Sequence, residues 1–389
     1  MSASQAVTGH NASVDRATAE IDLDAIAANI ERLRAAAPES LLQAVVKADA
    51  YGHGIVPVAR AARVAGADYL GVALPSEAMA LRESGDTGPI MCWLYTPDED
   101  LSACASADIE ISVSSISMLE QVVSAGQRSD GRVGIHLKLD SGLGRNGSTP
   151  QEWERLVREA KRQQDDGNVE IVGIWSHLAC ADEPESPATQ QQLRLFCQGL
   201  ATAADFDVQP RLRHLAATAG TLAFPESHFD MVRCGIGIYG LTPGGGLGSA
   251  ADLGLVPAMT VRARVALTKV VDSGHGVSYG HTYRTSAQTR LALIPVGYGD
   301  GIPRAGSGSL PVYIRGKRYT AAGTIAMDQF VVDVGDDQIE AGDVVELFGA
   351  GAAGAATADE WASDSGTIGY EIVTRLGARI PRSYVGANS

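Results

Sequence analysis

Eight short, almost unbroken apolar runs punctuate the first 240 residues, and no other feature restricts the fold as much. They are LLQAVVK (41–47), YLGVAL (69–74), PIMCWLY (89–95), IEISVSS (109–115), GIHLKLD (134–140), IVGIWSHL (171–178), RLRHLAA (211–217) and MVRCGIGIYG (231–240). A strand that is apolar on both faces belongs in a sheet covered on both sides, which is the habit of parallel sheets. The segments between the runs read as helices. SEAMALRESG (76–85) opens on a serine cap and closes on glycine, and PQEWERLVREAKRQQ (150–164) places proline at its start and basic residues near its end. Eight strand–helix repeats predict an α/β fold, a (β/α)8 TIM-type barrel. A doubly wound open sheet would call for a glycine-rich first turn, and none is present.

The texture changes at PGGGLGSAADLG (243–254), which reads as a linker. Beyond it, MTVRARVALTKVV (259–271), TRLALIPVGYG (289–299), PVYIRGKRYTAAG (311–323), IAMDQFVVDV (325–334) and DVVELFG (343–349) alternate with a period of two. That period predicts a C-terminal, mostly antiparallel β domain. ATAEIDLDAI (17–26) alternates as well and is expected to pair with it. The expected division is a disordered tail over 1–15, the barrel over 16–250 and the β domain over 251–389. Residues 350–366 read as a low-complexity loop without an assignable role.

A chain of 389 residues is long enough for two cores, and a formal net charge of −15 repels phosphate backbones, which argues against a nucleic-acid partner. Five cysteines without any Cys-x-x-Cys pair read as free thiols in a reducing compartment. The small, polar opening MSASQAVTGHNASV offers neither a signal sequence nor a membrane span, so a cytoplasmic location away from membranes is expected.

Chemistry in a barrel collects at the C-terminal ends of its strands. Those ends supply Lys47, Arg145, His177, Thr218 and Arg233. The set holds cations and an imidazole but few carboxylates. It is poor for glycoside hydrolysis or a divalent metal, and it suits an anionic, phosphate-bearing ligand. His177, Cys180 and Asp182 lack a fourth ligand and metal-site spacing, so no metal is expected. Lys47 ends an apolar run, where an amine either snorkels outward or is chemically used with a lowered pKa. Position alone leaves both readings open.

Its surroundings, AVVKADAYGHG (44–54), closely resemble the cofactor-lysine signature of bacterial alanine racemases, which are barrel-type pyridoxal-phosphate enzymes. LKLDSGLGRNG (137–147), WSHLACAD (175–182), MVRCGIGIYGL (231–241), GVSYGHTY (276–283), PVGYGDGIPR (295–304) and GTIAMDQF (323–330) resemble that family's blocks in the same order. The resemblance spans about residues 17 to 385.

It implies that Lys47 carries pyridoxal 5'-phosphate and is the base on one face of the substrate. Tyr279, supplied by the other subunit of a homodimer, is implied as the base on the opposite face. Racemisation needs two such bases, since each must remove what the other delivers. A tyrosine with an ordinary pKa of about 10 needs neighbours to lower it, and His177 and Arg233 are the implied ones. Arg233 is further implied as donor to the cofactor's ring nitrogen. Phosphate contacts fall to Tyr51, Thr218, the amides of Gly235 and Ile236, and Tyr370. Arg145 and the amide of the partner's Met327 are implied at the substrate, with Lys138 carbamylated to orient Arg145. Tyr298 and Arg304 are implied to line an entry corridor.

The implied reaction is interconversion of L- and D-alanine, supplying D-alanine for peptidoglycan. Four positions depart from the pattern: Ala217 and Thr218 replace the usual asparagine and serine, and Thr324 and Ala326 stand where arginine and cysteine are frequent. A slightly larger pocket would loosen specificity towards serine. Two other readings compete with it, a non-catalytic pyridoxal-phosphate carrier and a decarboxylase of basic amino acids. The β domain with Tyr279 and Met327 argues against the first, and the missing cysteine signature argues against the second.

Overall fold

The computed structural model describes residues 16–129, 131–351 and 354–386. The tail expected over 1–15 lies outside the described residues. The described chain forms two compact units. One holds β1 (Ala17–Asp22) up to Ile21 together with Met259–Ser383, and the other holds Asp22–Ala258 with the residues from Tyr384.

The second unit is the barrel. Its strands are β2 (Leu41–Val45), β3 (Tyr69–Val72), β4 (Ile90–Cys92), β5 (Ile109–Val113), β6 (Val133–Lys138), β7 (Val169–Trp175), β8 (Leu212–His214) and β9 (Met231–Cys234). Each of the eight apolar runs supplies one of them. All pairings are parallel, in the order β8-β7-β6-β5-β4-β3-β2-β9. The ring closes between β8 and β9 through one parallel bridge, Ala217 with Arg233, where the Arg233 amide donates to Ala216 O at 2.9 Å.

Sequence dictates the helices between the strands in recognisable ways. Helix Ile116–Arg128 starts where Ser115 Oγ accepts from the Met118 amide at 3.2 Å, and it buries Leu119, Val122 and Val123. Truncating Leu119 to alanine there costs roughly 2–5 kcal/mol. Helix Pro75–Glu83 differs from the expected start. Pro75, not Ser76, opens it, and Glu77 reaches back to the Leu74 amide at 3.0 Å. Inside the barrel, β7 carries Gly173 because a Cβ there would lie 2.2 Å from His136 Nδ1.

In the other unit nine strands form one sheet. To β1 are added β10 (Met259–Arg264), β11 (Leu267–Val271), β14 (Thr289–Ile294), β15 (Pro311–Ile314), β16 (Lys317–Ala322), β17 (Phe330–Gly335), β18 (Val344–Phe348) and β19 (Arg382–Val385). β12 (Gly276–Val277) and β13 (Tyr283–Arg284) form a separate small hairpin. The order of the large sheet is β11-β14-β17-β16-β15-β18-β10-β1-β19, with β1 antiparallel to β10. The stretch read as a low-complexity loop holds a helix, Ala358–Ser365. Thr357 caps it, accepting from the Glu360 amide at 3.1 Å while Glu360 accepts from the Thr357 amide at 2.8 Å. The alanine-rich flank hid this capping box.

Candidate active site

Lys47 follows β2 at the C-terminal mouth of the barrel, and the backbone beyond it is unusual. Ala48, Asp49, Ala50 and Tyr51 all have φ between 52° and 53°, so a left-handed turn follows the lysine. For non-glycine residues that conformation costs about 1–2 kcal/mol each. Local bonds offset the cost. Glu77 accepts from the Ala48 amide at 2.6 Å and from the Ala73 and Leu74 amides at 2.9 and 3.0 Å. Asp49 Oδ1 accepts from the Ile55 amide at 2.8 Å, and the Tyr51 ring packs, tilted, 4.7 Å from that of Tyr239. Propensity rules give no hint of such a turn in KADAYG. Burial, then the charge of Arg145, lower the Lys47 pKa, and Glu77 opposes the shift.

The seam between β8 and β9 supplies the next group. Arg233, 4% exposed, donates to Ser176 O at 2.8 Å and Leu215 O at 3.0 Å, and faces His177 Nδ1 and His214 Nδ1 at 3.2 Å each. Its guanidinium lies 4.8 Å from the Trp175 ring. Burial pulls its pKa to about 9, so it stays charged at neutral pH. An arginine only donates, so both histidine Nδ1 atoms must accept. Burial and the neighbouring cations hold His177 well below its usual pKa, so it is neutral and carries its proton on Nε2.

The same logic runs deeper into the barrel. His214, also neutral by burial, carries its proton on Nε2 and donates to His136 Nδ1 at 3.0 Å. His136 Nε2 then donates to Glu110 at 2.7 Å. A one-way hydrogen-bond chain therefore joins Arg233 to a carboxylate towards the opposite end of the barrel. The sequence reading missed Glu77, Glu110, His136 and His214. His136 stands two residues before Lys138 on β6, so a period-two reading would have placed both on the inner face.

Lys138 is 3% exposed with its amine 4.1 Å from the Trp175 ring. Burial, followed by the charges of Arg233 and Arg145, lowers its pKa to about 7. Arg145 is exposed, and its charge is felt at Lys47, Lys138 and His177. On the other side of the seam, Thr218 Oγ1 accepts from the amides of Gly235 and Gly237 at 3.1 and 3.4 Å. A Cβ on Gly235 would lie 2.5 Å from the Tyr51 hydroxyl, so that phenol rests against the backbone leading into the turn Ile236–Tyr239. Burial raises the Tyr51 pKa, so its hydroxyl keeps its proton and remains a donor.

The barrel unit thus gathers Lys47, Tyr51, Lys138, Arg145, His177, Thr218, Arg233, Gly235 and Ile236. Tyr279, Met327 and Tyr370 are carried by the β unit. Tyr279 is 72% exposed and Met327 52% exposed. Tyr370 is half-buried in helix Gly369–Thr374. A concavity of about 600 Å³ opens beside Tyr279, lined among others by Leu267, Leu293, Ala326 and Phe330. Among the described residues no cluster of His, Cys, Asp and Glu could hold a metal ion, and no helix is long and apolar enough to cross a membrane.

Family models for the N-terminal domain of alanine racemase and for its C-terminal domain match residues 21–243 and 258–384. Alanine racemase of Streptomyces coelicolor is 51% identical over 95% of this chain and 96% of that protein. That of Salinispora arenicola is 49% identical over 95% and 99%. Among solved structures, alanine racemase from D-cycloserine-producing Streptomyces lavendulae superposes with a TM-score of 0.95 at 52% identity, covering 96% of this chain and 97% of that one. The Bacillus anthracis enzyme, solved with bound L-Ala-P, gives 0.88 at 34% identity, covering 96% of both chains. A barrel mouth lined with cations, a half-buried lysine amine and a match over nearly the whole length lead to one conclusion: the chain belongs to the alanine racemase family of enzymes.

Proposed function

We propose that the chain interconverts L- and D-alanine with pyridoxal 5'-phosphate, as a homodimer whose sites draw on both subunits, and so supplies D-alanine for peptidoglycan. The observation that carries this reading is Lys47, an amine of lowered pKa at the barrel mouth amid Arg145, Lys138 and Arg233. The donor set fits the cofactor. Lys47 would attach it, and Tyr51, Thr218, Gly235 and Ile236, with Tyr370, would hold its phosphate. The close approach of the Tyr51 hydroxyl to the Gly235 backbone supports that assignment. Arg233, fixed by four partners, would donate to the ring nitrogen and keep it unprotonated. When bound, pyridoxal phosphate supplies the conjugated ring that weakens the substrate's Cα–H bond.

Everything else falls to the chain's own groups. Lys47 Nζ exchanges a proton with one face of Cα, and Tyr279 Oη of the partner subunit exchanges one with the other. His177, protonated on Nε2, is the donor that would support the partner's Tyr279 as a phenolate. Arg145 would take the substrate carboxylate together with the amide of the partner's Met327. Lys138, at about 7, has a substantial neutral fraction near pH 7. Such an amine adds carbon dioxide and releases a proton, and the resulting carbamate would orient Arg145. The exposure of Tyr279 and Met327, with exposed Leu267 lining the concavity beside Tyr279, supports a covering second copy.

Ala326 leaves room beside the substrate, but a methyl-sized difference gives only about 1–3 kcal/mol of discrimination, so serine is expected as a slower substrate. Chiral chromatography across an amino-acid panel tests the reading. Alanine should lead in kcat/KM. Comparable values for lysine, or no racemisation by cofactor-loaded protein, would overturn it.

A further inference from the structure

Ser278, immediately before Tyr279, has φ 59° and ψ −168°, a region that glycine alone normally occupies. Two reciprocal hydrogen bonds hold it there. Ser278 Oγ donates to Thr324 O at 2.6 Å, and Thr324 Oγ1 donates to Tyr279 O at 3.0 Å. Below the tie the hairpin is anchored: Val277 packs in a cluster with Leu291 and Ala322, and the Tyr283 hydroxyl donates to Asp333 at 2.7 Å. The tip has less support, since Tyr279, Gly280, His281 and Thr282 are all exposed. The segment carrying Thr324 leads to Met327, whose carbonyl accepts from the Gly299 amide at 2.8 Å. One pair of hydroxyls therefore joins the strand turn bearing Tyr279 to the loop bearing Met327.

We infer that Thr324 and Ser278 form a positioning clamp that aims Tyr279 at the reacting carbon. This rests on the reading of Tyr279 as the second base. A proton transfer depends steeply on the placement of its base, and the strained Ser278 gives the phenol a direction that a relaxed hairpin would not keep.

The test uses the cofactor-loaded enzyme and the variants Thr324→Val, Thr324→Ser and Tyr279→Phe. The equilibrium constant between enantiomers is one, so kcat/KM must fall equally in both directions of racemisation. The informative readout is exchange of the α-hydrogen with deuterated solvent, started from each enantiomer separately. Thr324→Val should lower kcat about tenfold with KM within about twofold, as expected for loss of one neutral positioning bond. Exchange should fall mainly from the enantiomer whose α-hydrogen faces Tyr279, and Thr324→Ser should restore it. Amide exchange in 276–284 should quicken in Thr324→Val. Equal loss from both enantiomers, unchanged kinetics, or failure of serine to rescue would overturn the clamp. If Tyr279→Phe itself exchanges both enantiomers alike, the two-base reading falls, and the clamp falls with it.

Discussion

Both candidate bases stand beside left-handed backbone built from non-glycine residues, yet the two regions support that strain differently. At the barrel mouth, Ala48–Tyr51 is braced by Glu77, Asp49 and the Tyr51–Tyr239 contact, and Lys47 itself is half-buried. At the tip of the β-unit hairpin, Ser278 is held by one reciprocal pair, and Tyr279 is 72% exposed. The contrast separates two ways of fixing a functional group. One is completed inside a single folded unit. The other presents its group to solvent at the tip of a hairpin.

The comparison predicts unequal consequences of removing each base. Lys47→Ala should abolish covalent cofactor attachment, read as loss of the borohydride-trapped mass, and lower racemisation by about four orders of magnitude or more. Residual activity above a hundredth of wild type would break the assignment. Tyr279→Phe should retain the trapped cofactor while losing roughly 10²–10³ in kcat. If it also lost the cofactor, the separation between the two regions would fail.

How much of this was legible in the chain follows from the same contrast. The eight apolar runs identified every barrel strand because burial on both faces leaves an unmistakable composition. Lys47, His177 and Arg233 stood at strand ends, where barrel chemistry gathers. What stayed hidden was of two kinds. The left-handed turn over Ala48–Tyr51 contradicts local propensity and is imposed by Glu77, a residue 29 positions beyond Ala48. The chain from Arg233 through His214 and His136 to Glu110 joins four strands that only the closed barrel brings together. The helix at Ala358–Ser365 was legible through Thr357 and Glu360 but was obscured by the surrounding alanines and glycines.

Two changes sharpen the barrel side. Glu77→Gln replaces a carboxylate that accepts three backbone amides with a group that can accept at only one of its two atoms. It should cost about 2–3 kcal/mol in denaturant unfolding. Because Glu77 raises the pKa of the free Lys47 amine, its removal should also shift the pH profile of cofactor attachment to the cofactor-free protein to lower pH. No shift would detach Glu77 from the lysine. Lys138→Met tests burial by linkage. The folded lysine titrates at about 7 against an ordinary 10.5, so between those values the unfolded chain binds the extra proton. Stability of the wild type should therefore rise with pH across that window, by at most ~1.4 kcal/mol per unit. Lys138→Met should flatten the rise. An unchanged slope would mean the amine is not buried uncharged.

The smallest effect bears most directly on strain. Ala48→Gly relieves a left-handed residue that costs about 1–2 kcal/mol, against the ~0.5–1 kcal/mol that glycine forfeits in unfolded-chain entropy. The net expectation is a gain of roughly 0.5–1 kcal/mol, a small rise in the urea midpoint with unchanged slope. The gain should come with a several-fold loss of kcat, since a glycine beside Lys47 loosens the backbone that directs its amine. The same exchange at Ser278 cannot be so clean, because glycine there removes the hydroxyl that donates to Thr324 as well as the strain. If Ala48→Gly destabilises the protein, the turn after Lys47 is not a strained element held by its neighbours. The two regions would then differ in exposure alone.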